Sequence, residues 1–229
     1  MNISGLQKMT LLDYPEHVAC TVFLPGCDFR CPYCHNFELV TGSADPVTTE
    51  SDFFDFLGKR NGLLDGVAIT GGEPLLHREL PEFIRKIKDM GFMVKLDTNG
   101  YHPDRLKELL SDRLLDYIAM DIKNSFEKYP TTIGLSDINI SLIKDSISLI
   151  MGSGVDYEFR TTVIKQFHDP SDFEKIGATI CGAKKYFLQQ FVERDTVPDS
   201  SLSALEAKDM QSCLEIVRKY VPSAELRGL

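Results

Sequence analysis

Short apolar runs alternate with longer amphipathic ones along the whole chain, and that alternation leaves few folds open. The runs Val18–Leu24, Gly66–Thr70, Met93–Asp97, Tyr117–Lys123, Tyr157–Ile164 and Tyr186–Val192 read as strands, most being rich in β-branched or aromatic residues. Between and after them lie helical patterns over Thr49–Lys59, Glu79–Met90, Pro103–Leu110, Ile140–Met151, Pro170–Ile180 and Ala204–Tyr220. In Glu79–Met90, Leu80, Phe83, Ile84 and Ile87 share one face, and Gly91 follows as a stop. Six β-then-α units in series call for a parallel sheet with right-handed crossovers. Such a sheet is either open and doubly wound or curved into an incomplete barrel. A closed barrel takes eight units and about 250 residues.

In both architectures, chemistry sits at the carboxyl ends of the strands. Four polar clusters fall there. A cysteine-rich segment, within residues 25–36, follows the first strand, and Gly71-Gly72-Glu73-Pro74 follows the second. Asp97-Thr98-Asn99-Gly100 ends the third strand, and Asp121 and Lys123 end the fourth.

Of six cysteines, Cys27, Cys31 and Cys34 lie within eight residues. In a chain of 229 residues, six cysteines do not make a disulfide scaffold, so the cluster points to metal or redox chemistry. The spacing lets one short loop bring three thiolates around a compact centre. Cubane iron–sulfur clusters usually take four such ligands. Three would leave one iron open, and an open position marks a catalytic rather than a structural centre, by analogy with zinc. The alternative is a Cys₃His zinc site using His35 in a non-catalytic binding module. His35 adjoins Cys34 directly, which places it poorly to close on the same ion, and no second ligand pair exists. Cys20, Cys181 and Cys213 read as buried structural residues.

The segment Gly26-Cys27-Asp28-Phe29-Arg30-Cys31-Pro32-Tyr33-Cys34-His35-Asn36 resembles the signature of radical S-adenosylmethionine (SAM) enzymes. More narrowly, it resembles the glycyl-radical-enzyme activases. Thr10-Leu11-Leu12-Asp13-Tyr14-Pro15 and Phe23-Leu24-Pro25-Gly26-Cys27 are similar to activating proteins of anaerobic ribonucleoside-triphosphate reductase. The resemblance covers nearly the whole chain and includes the pyruvate formate-lyase activase. It implies a single domain over 1–229, folded as a partial (β/α)6 TIM-like barrel with a parallel sheet. It also implies a [4Fe–4S] cluster on Cys27, Cys31 and Cys34, with SAM chelating the open iron.

The resemblance further implies SAM contacts. Tyr33 and His35 would supply them from the cluster loop, and Gly71, Gly72 and Glu73 would hold the amino group. Asp121 and Lys123 share a strand face with Ala119; they are read as SAM contacts, against the alternative of a mutual ion pair. Arg160 matches the pyruvate formate-lyase activase's arginine, the alternative being a surface salt bridge. Asp97, Thr98 and Asp121 match a monovalent cation site, although Asp and Asn also end strands in ordinary turns. That activase carries a His on the sixth strand. Here the strand reads Phe187-Leu188-Gln189-Gln190-Phe191-Val192, and Gln190 is expected to face the interior. His17, His77, His102 and His168 receive no role.

Composition narrows the partners. Twenty-five basic against 34 acidic residues give a net charge of −9, which argues against general nucleic-acid binding and against anionic membranes. No apolar run reaches about 18 residues, and the N-terminus lacks a signal-peptide pattern, so a cytoplasmic location is expected. The resemblance implies a glycyl radical enzyme as partner, anaerobic ribonucleotide reductase first, and a flavodoxin- or ferredoxin-type electron donor. The absence of a second cysteine-rich insert disfavours activases with extra ferredoxin-like clusters. The other catalytic possibility is a radical enzyme acting on a small molecule, of the deazaguanine-forming type.

Overall fold

A computed structural model describes residues 1–41 and 44–228. Eight strands make one sheet: β1 (Gly5–Thr10), β2 (Ala19–Leu24), β3 (Gly66–Gly71), β4 (Met93–Thr98), β5 (Tyr117–Asp121), β6 (Asp156–Val163), β7 (Tyr186–Gln190) and β8 (Glu225–Arg227). The expected six are β2 to β7, all parallel. A doubly wound sheet reverses its strand order at a switch point. Here spatial order follows chain order from β1 to β8, which is the winding of a partial barrel.

Two strands escape the sequence pattern. β1 pairs antiparallel to β2 and buries only one of its six residues, so it has no apolar alternation to read. β8 is three residues long and extends the parallel run beside β7.

The helices are α1 (Phe37–Val40), α2 (Glu50–Gly58), α3 (Leu80–Asp89), α4 (Pro103–Ser111), α5 (Tyr129–Thr132), α6 (Ile140–Gly152), α7 (Pro170–Thr179) and α8 (Ala207–Arg218). Local signals set their ends. Asp169 and Asp172 form a reciprocal capping box at α7, and Pro170 takes the first turn. Asn139 caps α6 through the Ser141 N–H. In α3, Phe83, Ile84 and Ile87 are buried, and Lys86 and Lys88 sit at its negative end. α8 starts later than expected because Ala204 is drawn into a bridge with Ile164.

Strand alternation builds two distinct interiors. Val67, Ile69, Val94, Leu96, Ile118 and Met120 point outward into the apolar core under the helices. The opposite face carries Lys95, Asp97, Asp121, Glu158 and Arg160. The inside of this partial barrel is therefore polar, whereas a closed barrel fills with branched apolar residues. Tyr14 packs with Ala19, Tyr117 and Met93 where these strands begin. Cys20 and Cys213 are buried as expected, but Cys181 is exposed in the turn after α7. Among the described residues, no helix is long and apolar enough to cross a membrane.

Candidate active site

A cavity of about 440 Å³ opens at the carboxyl ends of the strands, and Cys27, Cys31 and Cys34 all line it. The loop carrying them is fixed by backbone contacts. The Gly26 N–H donates to Leu39 O at 2.7 Å, the Arg30 N–H to Ile133 O at 2.9 Å, and the Glu73 N–H to Gly26 O at 2.8 Å. Two contacts close its far half against the segment after β7. His35 Nε2–H donates to Val192 O at 2.7 Å while its ring stacks on Phe191, and the Asp199 N–H donates to Pro32 O at 3.0 Å.

Gly71 and Gly72 also line the cavity. Their need for glycine comes from the protein itself. A Cβ at Gly72 would sit 1.9 Å from Gly26 O, and one at Gly71 would sit 2.2 Å from Leu24 O. The glycine pair thus seats the β3 loop against the cysteine loop.

Glu73 departs from expectation, because it is fully buried and does not line the cavity. Its Oε1 accepts from the Leu75 N–H at 3.0 Å and the Thr98 hydroxyl at 2.9 Å, and its Oε2 accepts from the Asn99 N–H at 2.7 Å. It is a strut between the loops after β3 and β4. Burial pushes its carboxyl up to about 7, against the pull of those three donors.

The expected cation set is not assembled. The Thr98 hydroxyl is spent on Glu73, on the strand face opposite Asp97. Asp97 and Asp121 are each already paired with cationic side chains. Lys95 bonds Asp97, Arg160 bonds Asp97 at 3.3 Å and Asp121 at 2.9 Å, and Lys123 bonds Asp121 at 2.9 Å. The result is an alternating ladder from Lys95 to Lys123, three cations against two anions. Burial alone would raise Asp97 and Asp121. Arg160 with Lys95, and Arg160 with Lys123, outweigh it and hold both below the usual carboxylate range. Arg160 is only 14% exposed, so it is no surface salt bridge. The Asp121–Lys123 ion pair does form, and both residues still line the cavity.

The sixth-strand expectation is off by one residue. Gln190 points to the helix side with Tyr186 and Leu188, and its Nε2 donates to Leu205 O at 2.9 Å. Gln189 lines the cavity instead. Alternation allowed one glutamine inside and did not say which. Tyr33 lines the cavity as well, and its hydroxyl is buried without a hydrogen-bond partner.

Three histidines left without a role have structural partners. His102 Nε2 meets Asp28 Oδ2 at 2.9 Å. His77 Nε2–H donates to Pro25 O at 2.8 Å. His168, kept neutral by burial, accepts the Ile164 N–H on Nδ1 and donates from Nε2 to Lys123 O at 3.0 Å. Their partners lie 4 to 74 residues away, and no spacing rule finds them.

Among the described residues, no three His, Cys, Asp or Glu side chains converge on a single-ion position. Burial pushes the Cys27 thiol up to about 12 and Cys31 to about 11, so holding them as thiolates calls for strong positive charge in the cavity. Three thiols, an unpartnered buried hydroxyl and a wall that carries Lys123 and Arg160 beside Asp97 and Asp121 fit an iron–sulfur cluster next to a zwitterionic ligand.

Comparison with known proteins agrees. The sequence model of the radical SAM superfamily matches residues 21–177. The chain is 32% identical over 236 aligned positions to a Methanocaldococcus jannaschii protein named as a glycyl-radical enzyme activating enzyme, covering 99% of this chain and 96% of that one. It is also 34% identical over 150 positions to a 7-carboxy-7-deazaguanine synthase of Methanospirillum hungatei, covering 63% of this chain and 58% of that one. A solved domain of the pyruvate-formate lyase-activating enzyme from Bacteroides vulgatus shares the fold, with a TM-score of 0.59 at 20% identity over 71% of this chain and 99% of that one. With three thiols at the mouth of a partial barrel and a likeness that runs from end to end, this chain belongs to the radical SAM superfamily, among the glycyl-radical enzyme activating enzymes.

Proposed function

We propose that the protein cleaves SAM at a [4Fe–4S] cluster on Cys27, Cys31 and Cys34, and so installs a glycyl radical on a partner enzyme. Anaerobic ribonucleoside-triphosphate reductase is the partner proposed, with a flavodoxin- or ferredoxin-type electron donor and a cytoplasmic setting. When bound, the cluster and SAM supply one-electron cleavage of a C–S bond and hydrogen-atom abstraction.

The chain's own residues bind and orient. Three thiols leave one coordination position for the cofactor. The Gly71–Gly72 backbone borders the cavity beside them, fixed by Glu73 from behind. Lys123 and Arg160 offer cationic character to a carboxylate, and Asp121 offers an acceptor to an ammonium or a ribose hydroxyl. Gln189 and Tyr33 add neutral polar groups. No side chain is asked to move a proton in the cleavage. The observation that carries this reading is three thiols and the Lys123–Asp121–Arg160 triad facing one cavity.

The test is anaerobic reconstitution with iron and sulfide, reduction, addition of SAM and quantification of 5′-deoxyadenosine, with Cys34→Ala as control. Reduced protein and SAM are then incubated with the reductase, and the glycyl signal is sought by electron paramagnetic resonance. No glycyl signal from protein that does form 5′-deoxyadenosine sinks the proposed partner. The second reading, a small-molecule enzyme of the deazaguanine-forming type, draws on the partial likeness to the M. hungatei synthase. Turnover of a small molecule with no partner protein present would favour it.

A further inference from the structure

Asn99 sits on the loop after β4, where it touches the cysteine loop. Its Oδ1 accepts the Tyr101 N–H at 2.9 Å, which fixes which end of the amide is which. The NH₂ end must then face Asp28 and Cys27. Nδ2 donates to Asp28 Oδ1 at 2.9 Å and lies 3.9 Å from Cys27 Sγ. The other oxygen of Asp28 is taken by His102 Nε2 at 2.9 Å, so the carboxylate cannot swing away from the amide. From behind, the Asn99 N–H is anchored on Glu73. Cys27 Sγ also accepts the Phe29 N–H at 3.4 Å. Among the described residues, neither Cys31 nor Cys34 receives a side-chain amide on its sulfur.

We infer that Asn99 is a positioning residue that directs an amide N–H at the sulfur of Cys27 and thereby raises the reduction potential of the cluster. The inference rests on the reading that Cys27 is a cluster ligand. A donor aimed at a ligand sulfur withdraws electron density and favours the more negative, reduced state. Asp28 and His102 hold the amide in place.

The test uses the full reconstituted chain and reads the midpoint potential of the cluster by electron paramagnetic resonance, alongside iron and sulfide content. Asn99→Ala keeps the backbone bond to Glu73 and removes the amide; Asn99→Asp keeps the shape and replaces the donor with an acceptor. Both potentials should move negative, Asp further than Ala. A tenfold fall in the reduced-to-oxidised ratio at fixed applied potential corresponds to 59 mV for one electron. A merely structural role would lower cluster content and leave the potential of the loaded fraction unchanged, and that result overturns the inference. A third measurement needs no variant. With ¹⁵N placed in asparagine side chains, the reduced wild-type cluster should show a weak ¹⁵N coupling, and its absence overturns the inference too. Wild-type protein that takes up no iron and sulfide overturns the cluster reading itself, a failure distinct from an unmoved potential.

Discussion

The backbone N–H of Asn99 donates to Glu73 Oε2 across 2.7 Å, joining the loops after β4 and β3 beneath the floor of the cavity. Glu73→Ala leaves the donors of Leu75, Thr98 and Asn99 without their acceptor in a buried place. The expected cost is about 2–4 kcal/mol in urea unfolding. Glu73→Gln should cost less, since it keeps an acceptor oxygen.

The same carboxyl gives a pH signature. Its folded pKa, about 7, lies above the ordinary value for glutamate. The stability it adds is therefore complete below the unfolded pKa and lost as pH rises through the folded one. The stability of the wild type relative to Glu73→Gln should fall between about pH 4.5 and pH 7.5. A flat difference across that window would place Glu73 among ordinary carboxylates.

Arg160 bridges Asp97 and Asp121 inside the barrel. Arg160→Met should cost about 3–5 kcal/mol, because it strips a shared counter-ion from two buried carboxylates. Both carboxyls are held low, so the stability they contribute is present above the ordinary aspartate range and lost as pH falls through their folded values. In Arg160→Met that acid loss should shrink. The difference should hold from pH 7 down to about pH 4, and denaturation curves carried on below pH 3 would show the two profiles converging, because the carboxyls give up their charge only below the ordinary aspartate range.

Two glycine substitutions separate backbone strain from collision. Gly62 has φ +78° and nothing near its added Cβ, so Gly62→Ala should cost only about 1–2 kcal/mol. Gly72→Ala drives a methyl into Gly26 O and should disorder the cysteine loop. Iron and sulfide uptake should be normal in the first and largely lost in the second. Equal uptake would mean the two loops can part without consequence.

Gln189 and Gln190 should divide cleanly between binding and stability. Gln189→Leu should weaken SAM binding about tenfold in calorimetry, the equivalent of about 1.4 kcal/mol, and leave urea midpoints unchanged. Gln190→Leu should do the reverse, losing about 1 kcal/mol with its bond to Leu205. A Gln190→Leu variant that binds poorly would restore the interior placement first expected of it.

Where the sequence spoke clearly, it did so through period and spacing. Six strands, the main helices and the rim positions of Cys27, Gly71, Asp97 and Asp121 all follow from local pattern. β1 was silent because an edge strand with exposed faces needs no alternation. The direction of the Glu73 side chain was not legible because its motif marks only a place at the rim, and three-dimensional packing turns the carboxylate away from the cavity. Thr98 followed it, as the partner that carboxylate required. Asp28, Asn99 and His102 are common turn and surface residues, and their meeting depends on two loops that adjoin only in the folded barrel.

The clasp on the cysteine loop also sets an order of events during synthesis. Residues 27 to 34 leave the ribosome early, yet His35 closes on Val192 and Pro32 on Asp199, more than 150 positions later in the chain. Until those late residues emerge, the loop that carries the three thiols lacks these two contacts. The nascent protein thus passes through a stage in which its three clustered thiols are open to oxygen and stray metals, and the loop reaches its closed form only when translation is nearly finished.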